Sequence, residues 1–409
     1  MRIALFYFVF YGTSGVLVPY LPAYFRSLGF SGTEISIVLS LSSFMMIFIP
    51  LLWGLLADRT GRPTLLLKLA CAGSALSFAI LPFTRQFSPV VAVLALYAFF
   101  ATAISSLADS IAVAEAKKTG TDYARLRLWG SLGYIVACFS FGKFLSSGVH
   151  DLEIAGICAV MLAAGALAAQ VVPSVRARMP LAPSLADAGR LLADPALLFF
   201  FLAAMIHQAA LQPYYLFLAV YARDLHINTY YVGLGISLGV AAEVLMMWFF
   251  RALCSRISLQ ALLLASFFSS SLRWYLLTQV ESGPLLAAIQ IFHGLTFGAF
   301  FIGSIVYLER AVPERLRATG RALFASLVSG LGGIIGNAIA GRAYDRGGGK
   351  AAFLSSAMLE LLAPLALLAS ARFSRHLLRP ERGVVEPITK VFTAEDAEVR
   401  RGLHRENRN

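Results

Sequence analysis

The sequence predicts an all-α membrane protein with twelve transmembrane helices in two pseudo-symmetric six-helix bundles. Of its 409 residues, 58% are hydrophobic and only 14% are charged, and the mean hydropathy is +0.74. A soluble domain carries about 25% charged residues, so the apolar excess must face lipid. The chain also contains twelve apolar runs, each close to the length of about 20 residues that a helix needs to cross a bilayer.

These runs follow one another with short connections, except for one Pro-rich linker that divides them six and six. The linker separates a predicted N-terminal bundle over residues 1–173 from a C-terminal bundle over 196–372, and a polar tail over 373–409 is expected to be disordered. The predicted spans are 3–25, 34–56, 64–83, 89–115, 128–147, 153–173, 196–221, 230–252, 258–279, 284–308, 319–343 and 351–371, with the linker at 174–195.

The distribution of positive charge predicts the orientation. If both termini are cytoplasmic, 26 of the 34 Lys and Arg residues fall on the inner side, seven on the outer side and one inside a span. This bias follows the positive-inside rule, so we expect a multi-pass protein of the plasma membrane, or of the inner membrane in a Gram-negative cell. The charge is spread over several loops rather than gathered in one patch, which argues against a nucleic-acid partner despite the net charge of +12.

The cysteines and the one enzyme-like motif give no sign of catalysis. All four cysteines lie in apolar runs without a Cys-x-x-Cys pair, so we expect no disulfide framework, metal site or cofactor. Gly235, Ser237 and Gly239 satisfy G-x-S-x-G, but they lie inside an apolar run, where small residues favour close helix packing. We therefore expect a protein that is not an enzyme. We also expect it to be a monomer and to be surrounded by the lipid bilayer.

Four ionisable residues stand out within the apolar runs: Asp109, Glu243, Arg273 and His293. A charge at mid-bilayer costs several kcal/mol, and such residues usually face a partner, a cavity or a transport path. The four residues favour a carrier of solutes. Structural alternatives remain: Glu243 and Arg273 can form a static pair between helices, His293 can be a packing histidine, and Asp109 can stabilise a helix contact.

The connection after the second run reads Gly54-Leu55-Leu56-Ala57-Asp58-Arg59-Thr60-Gly61-Arg62. It resembles the G-x-x-x-D-R-x-G-R signature of the major facilitator superfamily, and a weak copy, Ser255-Arg256, follows the eighth run 197 positions later. The resemblance implies a fold of two similar halves with the solute site between them near mid-membrane. It also implies that Asp58, Arg59 and Arg62 stabilise one gating state.

Further segments resemble the branch of that superfamily that contains the phenylpropionate porter, lactose permease and the nucleoside proton symporters. Asp109 lies in the fourth run and Arg127 follows 18 positions later, and Glu243, Arg273 and His293 lie in the eighth, ninth and tenth runs. In that branch such residues bind sugar or couple transport to protons. The resemblance implies uptake of a small organic solute (an aromatic acid, a nucleoside or a sugar) with proton symport and alternating access.

The proposed roles follow from the chemistry of each side chain. Burial favours a neutral carboxyl group and a nearby cation favours the charged one, so Glu243, and after it Asp109, is the expected proton carrier, with His293 able to donate or accept. The branch has a second Glu one helical turn after the His, where this chain has Thr296, so the carrier carboxylate has to be Glu243 or Asp109. The candidate solute-binding residues are Arg273, His293, Arg127, Trp129 and Gln208.

Three of these candidates also have structural interpretations, and the symporter has functional alternatives. Arg127 can extend its charge to the inner interface, Trp129 can fill space between helices, and Gln208 lies beside Pro213 in a run that is kinked either for a cavity or for packing. The alternatives to a symporter are a proton-independent facilitator and a solute sensor that transports nothing. Drug exporters of the superfamily that this chain resembles normally have a Gly- and Pro-rich pattern in the fifth helix. Residues 130–142 of the fifth run contain no Pro, which argues against export.

Overall fold

The computed structural model describes residues 2–174 and 185–373, which we call the N-terminal and C-terminal halves. Helices dominate both halves, and no β-strand occurs among the described residues. The N-terminal half contains α1 (Arg2–Ser27), α2 (Gly32–Thr60), α3 (Pro63–Phe78), α4 (Phe87–Thr119), α5 (Tyr123–Leu145) and α6 (Glu153–Gln170). The C-terminal half contains α7 (Leu185–Leu192), α8 (Pro195–Ala210), α9 (Gln212–Asp224), α10 (Thr229–Cys254), α11 (Leu259–Thr278), α12 (Gly283–Ile289), α13 (Phe300–Ala311), α14 (Arg317–Leu323), α15 (Gly333–Glu360) and α16 (Leu362–Phe373).

Ten segments of this described chain are long and apolar enough to cross a membrane. One of them, Glu314–Phe373, has 60 residues and covers the last two predicted spans. Helical geometry breaks inside it, because Gly347 and Gly348 have non-helical backbone angles. Helix α11 coincides with the ninth predicted span but is not among the ten segments. The all-helical membrane fold is confirmed, and the count of twelve stays a prediction.

Several predicted spans are interrupted helices. The seventh divides at Leu211 into α8 and α9, with Pro213 in the first turn of α9, as a Pro-induced break requires. The tenth contains a 3₁₀ turn, Gln290–Phe292, and a π-helical segment, Gly294–Ala299, and a second π-helical segment covers Phe324–Gly332. Short π-helical segments occur frequently at functional sites because they displace side chains and backbone groups from the regular helical ladder.

Three buried apolar clusters show which side of the molecule is closed. We call the side where α1 begins and α16 ends the terminal side, and the opposite side the far side. One cluster is shared by both halves and contains far-side residues such as Tyr20, Phe141 and Phe217. The other two belong to one half each and lie at the terminal side. The halves therefore pack together at the far side and separate towards the terminal side.

Polar contacts across the two halves follow the same pattern. The Asp345 carboxylate accepts hydrogen bonds from the backbone N–H of Gly32 (2.6 Å) and of Thr33 (2.9 Å) at the start of α2. Arg223, at the end of α9, forms an ion pair with Asp151, which lies just before α6. A carboxylate at a helix N-terminus satisfies amide groups that lack helical partners. These contacts hold the far side shut.

The predicted linker and tail lie partly outside the described residues. Residues 175–184 of the linker and residues 374–409 of the tail are not described, so the expected disorder of the tail is untested. The end of the linker forms α7, in which Arg190 and Asp187 are paired at 3.0 Å. The G-x-S-x-G residues lie inside α10, where the Ser237 hydroxyl donates to the backbone oxygen of Ile135 on α5 at 3.2 Å. The motif thus serves the packing of the two halves.

Candidate functional site

A charged cluster in the N-terminal half joins α1, α4 and α5. The Tyr7 hydroxyl donates to Oδ1 of Asp109 at 2.6 Å, and Nε of Arg127 lies 3.9 Å from the same oxygen. The Arg127 guanidinium stacks 4.0 Å from the ring centroid of Tyr11. The side chains of Asp109 and Arg127 are each 36% exposed. We call Tyr7, Tyr11, Asp109 and Arg127 the N-cluster; its charges remain accessible to a solute.

Close approach of α1 and α5 positions the N-cluster. A Cβ atom on Gly133 would lie 2.1 Å from the backbone oxygen of Phe8, so only Gly fits there. A Cβ on Gly130 would lie 2.6 Å from the ring of Tyr11. Small residues let helix backbones approach this closely in membranes. The two glycines therefore bring the tyrosine rings of α1 under the Arg127 side chain.

A second cluster, in the C-terminal half, is centred on Arg273 of α11, which is fully buried. Its NH2 donates to Oε1 of Gln290 at 2.6 Å, and its NH1 donates to Oγ1 of Thr296 at 3.0 Å and to Nδ1 of His293 at 3.1 Å. The guanidinium also lies 4.6 Å from the ring centroid of Tyr214. No carboxylate lies within ion-pair distance of Arg273 among the described residues, so neutral oxygens, a ring nitrogen and aromatic faces carry its solvation.

His293 connects Arg273 to Glu243. Because Arg273 can only donate, Nδ1 of His293 is the acceptor and its proton lies on Nε2. That nitrogen points towards Glu243 and lies 3.6 Å from its Oε2, somewhat beyond hydrogen-bond length. The Glu243 side chain is 17% exposed and that of His293 is 5% exposed. The predicted Glu243–Arg273 relation is thus indirect, with the imidazole lying between the two charges.

The backbone of the tenth predicted span sets this spacing. A Cβ on Gly239 of α10 would lie 3.0 Å from the backbone oxygen of Gln290, and a Cβ on Gly294 would lie 2.6 Å from that of Ala242. Both glycines allow α10 to contact residues 290–299 closely, which brings Glu243 to His293. The π-helical geometry that follows His293 places Thr296 against Arg273.

The structure pairs His207, a polar residue of the seventh predicted span, with Glu360, a carboxylate that sequence reasoning missed. Nδ1 of His207 on α8 lies 2.6 Å from Oε1 of Glu360 at the end of α15, and both side chains are 0% exposed. Nε2 of His207 lies 3.0 Å from the backbone oxygen of Thr296. Glu360 is a carboxylate inside the apolar run 351–371, the same signal that singled out Glu243. Applying that criterion to the last run would have found it.

We call Arg273, His293, Gln290, Thr296 and Glu243, together with the His207–Glu360 pair, the C-cluster. Contacts run through it without interruption, because Thr296 accepts from Arg273 through its hydroxyl and contacts His207 through its carbonyl. It lies where the shared far-side apolar cluster, which contains Trp274, meets the terminal-side cluster that contains Phe267 and Phe300. Helix α10, which carries Glu243, contacts α5, which carries Arg127, through the hydrogen bond of Ser237 to the backbone oxygen of Ile135. The two clusters therefore lie on helices that meet at the interface between the halves.

Other predicted site residues lie apart from both clusters. Trp129 is 49% exposed on the face of α5 that also exposes Leu128 and Leu132, and its ring contacts Phe8. Gln208 is half-buried on α8; its backbone oxygen accepts from Gln212, and no hydrogen bond within the described ranges joins its side chain to the C-cluster. The structure does not bring these two residues to Arg127 or Arg273.

The predicted gating residues lie at the turn between α2 and α3, on the open terminal side. Asp58 and Arg59 occupy the last turn of α2 and Arg62 precedes α3, and all three are exposed. Gly61 ends α2 with φ of 62°, a left-handed conformation that Gly adopts without strain. Within residues 2–174 and 185–373, no group of three or more His, Cys, Asp or Glu side chains could hold a metal ion.

A helical membrane protein whose charged residues meet between two halves, with one side of the interface open, belongs to the class of membrane transport proteins. More specifically, the chain belongs to the MFS_1 like family, whose model matches residues 1–355. Membership confirms the major facilitator fold that the Asp58-Arg59 motif predicted. It also confirms that the chain is a transporter of small solutes rather than an enzyme.

Three known proteins show the range of this similarity. The chain is 26% identical to the maltose permease of Geobacillus stearothermophilus over 91% of this chain and 94% of the relative. It is 25% identical to a probable 3-phenylpropionic acid transporter of Escherichia coli (strain K12) over 80% of this chain and 86% of the relative. Its fold matches the crystal structure of the nucleoside transporter NupG with a TM-score of 0.80 and 20% identity, covering 90% of this chain and 98% of that one.

Proposed function

We propose that the protein takes up a small organic solute together with protons by alternating access between the two sides of the plasma membrane. The observation that carries the proposal is the position of Glu243. Its side chain is partly exposed, whereas its neighbours His293 and Arg273 are buried. Because the Glu243 carboxylate contacts both solvent and buried side chains, it can exchange protons with water. The resulting change in its charge then acts on His293 and, through it, on Arg273.

The candidate solute site lies between the N-cluster and the C-cluster. Arg127 and Asp109 offer accessible charge from one half, and His293 and Arg273 offer donors from the other. A sugar or nucleoside hydroxyl can bridge Asp109 and Arg127, and the carboxylate of an aromatic acid can pair with an arginine. The sequence relatives include a sugar permease, nucleoside permeases and a probable aromatic-acid transporter, so the solute class is left to a direct screen.

Alternating access follows from the asymmetry of the two sides. The far side is closed by contacts between the halves, among them the hydrogen bonds of Asp345 to α2. With cytoplasmic termini, this state is open to the cytoplasm. Asp58, Arg59 and Arg62 lie on the open side, and in this proposal they contact the other half when the halves close there.

The test begins with a screen on the purified protein in detergent. Maltose, uridine and 3-phenylpropionate are each added, and the compound that raises the melting temperature is taken forward, because a ligand that binds the folded state stabilises it. Uptake of that compound into proteoliposomes is then measured with and without an inward proton gradient. The wild type should accumulate it only with the gradient.

The variants E243Q and D109N decide the coupling. Loss of gradient-driven accumulation in E243Q, with binding retained, supports Glu243 as the proton carrier, and the same loss confined to D109N transfers the role to Asp109. Accumulation that persists in both variants would favour a proton-independent facilitator, an alternative to which the neutral Thr296 in the C-cluster also points. Binding without any flux would identify a sensor.

A further inference from the structure

We propose that His207 and Glu360 form a second proton-binding site, linked to the solute site through Thr296. The role of this site in transport rests on the proposed function. The existence of the site rests only on the geometry of His207 and Glu360. The two residues come from α8 and α15, at opposite ends of the C-terminal half in sequence, and they meet in a region without solvent exposure.

The geometry fixes the number of protons that the pair holds. The backbone oxygen of Thr296 can only accept, so Nε2 of His207, 3.0 Å away, carries a proton. Nδ1 of His207 and Oε1 of Glu360 lie 2.6 Å apart, which requires a second proton between them, since two lone pairs would repel at that distance. This shared proton can lie on Glu360 or on His207, and the pair is electrically neutral in both cases.

The surroundings of the carboxyl group favour the form in which the proton lies on Glu360. Oε2 of Glu360 is buried and makes no hydrogen bond of normal geometry among the described residues; the nearest donor is Nε1 of Trp274, which is itself buried without a partner. An unpaired carbonyl oxygen of a neutral acid costs far less in such a place than an unpaired oxygen of a carboxylate. Around His207, the rings of Phe300 and Phe267 lie with centroids 4.1 Å and 5.3 Å away and add no polar group.

Release of the shared proton to water would leave one negative charge on the pair. The titratable and charged groups on the adjoining elements are Arg273 on α11, His293 before the π-helical segment, Tyr214 on α9 and Glu243 on α10. Arg273 is the only cation of this set that is charged at every accessible pH. It contacts the same residue, Thr296, that His207 contacts, and no carboxylate of residues 2–174 or 185–373 pairs with it in this conformation.

The pair therefore exchanges its proton only in a conformation that admits water or brings Arg273 closer to Glu360. This requirement couples the proton to the conformation of the carrier. Glu360 also supplies a second carboxylate. The resemblance to the symporters leads one to expect that carboxylate one helical turn after His293, where this chain has Thr296. Movement of Thr296 with the π-helical segment Gly294–Ala299 changes the contacts of His207 and of Arg273 at the same time.

The first test needs no solute. Infrared difference spectra of the purified protein between acidic and alkaline buffers report the carbonyl stretch of each carboxyl group that changes protonation. We expect a signal from a buried acid in the wild type and in E243Q, and its loss in E360Q. The control E309Q should keep the signal, because Glu309 is a terminal-side carboxylate paired with Arg317 at 3.1 Å.

The variant E360Q is suited to this test because its amide can donate to Nδ1 of His207 as the neutral acid does, so the fold should persist. Should E360Q nevertheless fail to fold, E360D keeps a carboxyl group and should shift the carbonyl band rather than remove it. A wild-type signal that is unchanged in both variants, or no signal from position 360 at any pH, would overturn the proposal.

The second test measures coupling with whichever of maltose, uridine and 3-phenylpropionate the wild type transports. A gradient of one pH unit supports about tenfold accumulation for each coupled proton. We expect E360Q to lose this accumulation while retaining exchange of labelled for unlabelled compound, since exchange requires no release of the proton. Full accumulation in E360Q would overturn the coupling role and leave the proposed function standing. A wild type that transports none of the three compounds would contradict the proposed function, and the infrared result would still decide the site.

Discussion

The charged side chains of the N-cluster and of the C-cluster are stabilised within the membrane by different surroundings. In the N-cluster, Asp109 and Arg127 lie 3.9 Å apart, are each 36% exposed and have aromatic neighbours. In the C-cluster, Arg273 is fully buried and is surrounded by neutral acceptors and aromatic rings. The exposed pair is solvated in part by water, whereas the buried cation depends on each of its contacts.

This difference indicates different tasks. An exposed and loosely paired charge can exchange its partner for a solute at low cost, since an exposed ion pair contributes about 0–1 kcal/mol. A buried charge held by several donors and acceptors resists such exchange, but it responds strongly when a neighbour gains or loses a proton. The N-cluster is suited to binding, and the C-cluster is suited to coupling.

The same substitution in the two clusters gives the largest expected contrast. R273Q removes three hydrogen bonds and leaves Gln290, Thr296 and His293 without their donor, so we expect a loss of about 3 kcal/mol in stability, because partners left buried and unpaired are costly. R127Q should change stability by about 1 kcal/mol at most. Melting temperatures in detergent test both variants.

The matched control for this pair is R342Q, because Arg342 is exposed and its hydrogen bond within the described part of the chain goes to the backbone oxygen of Ala338. It should behave like the wild type in stability and uptake. If R273Q melts at the temperature of R127Q, the contrast between a buried and an exposed cluster is wrong.

The next effect concerns the glycine contact beneath the N-cluster. G133A places a methyl group 2.1 Å from the backbone oxygen of Phe8, so α1 must move away from α5. Overpacking of this kind costs about 1–3 kcal/mol, and the shift carries Tyr7 and Tyr11 away from Arg127. We expect a lower melting temperature together with weaker binding of the transported compound.

G156A provides the comparison for G133A. Gly156 lies within α6 with no atom within 4 Å of a Cβ. Replacing a helical Gly by Ala at an open position stabilises a helix by about 0.5–1 kcal/mol. Equal melting temperatures for the two variants would show that the α1–α5 contact is looser than the geometry indicates.

A smaller effect is expected at the contact that closes the far side. D345N keeps the size of the side chain but removes the charge at the start of α2, where Asp345 accepts from Gly32 and Thr33. Loss of such a cap costs about 1 kcal/mol, equivalent to a roughly fivefold shift in a conformational equilibrium. Distances between spin labels on the two halves should show more of the state that is open at the far side, and an unchanged distance distribution would count against this role.

The smallest expected effect is the coupling between Asp109 and Arg127. A double-mutant cycle with D109N, R127Q and the combined variant should give an interaction of about 0.5 kcal/mol in stability, as for other exposed pairs. Binding affinity should fall in each single variant by about tenfold. A coupling energy as large as that of a buried pair would indicate that water is excluded from Asp109 and Arg127 in the resting protein.

Composition and chain pattern predicted much of the fold. The apolar runs lie at helices, Pro213 follows the break between α8 and α9, and the turn after α2 has the left-handed Gly61 that its motif requires. The predictions came from local properties: lipid demands apolar side chains and internally satisfied backbone groups. Interruptions by π-helical geometry were not predicted, because they depend on side chains from neighbouring helices.

By itself, the sequence determined that this chain is a helical membrane carrier with a few costly charges submerged in its spans, because burying an ionisable group among apolar residues is expensive wherever the helices lie. Only the tertiary structure decided the partners of those charges. It placed His293 between Glu243 and Arg273, paired His207 with Glu360 across 153 positions of sequence, and left Trp129 half-exposed beside Leu128 and Leu132. Such pairings depend on how helices pack and rotate against one another, and glycine contacts and helix breaks set that packing through shape rather than through local pattern.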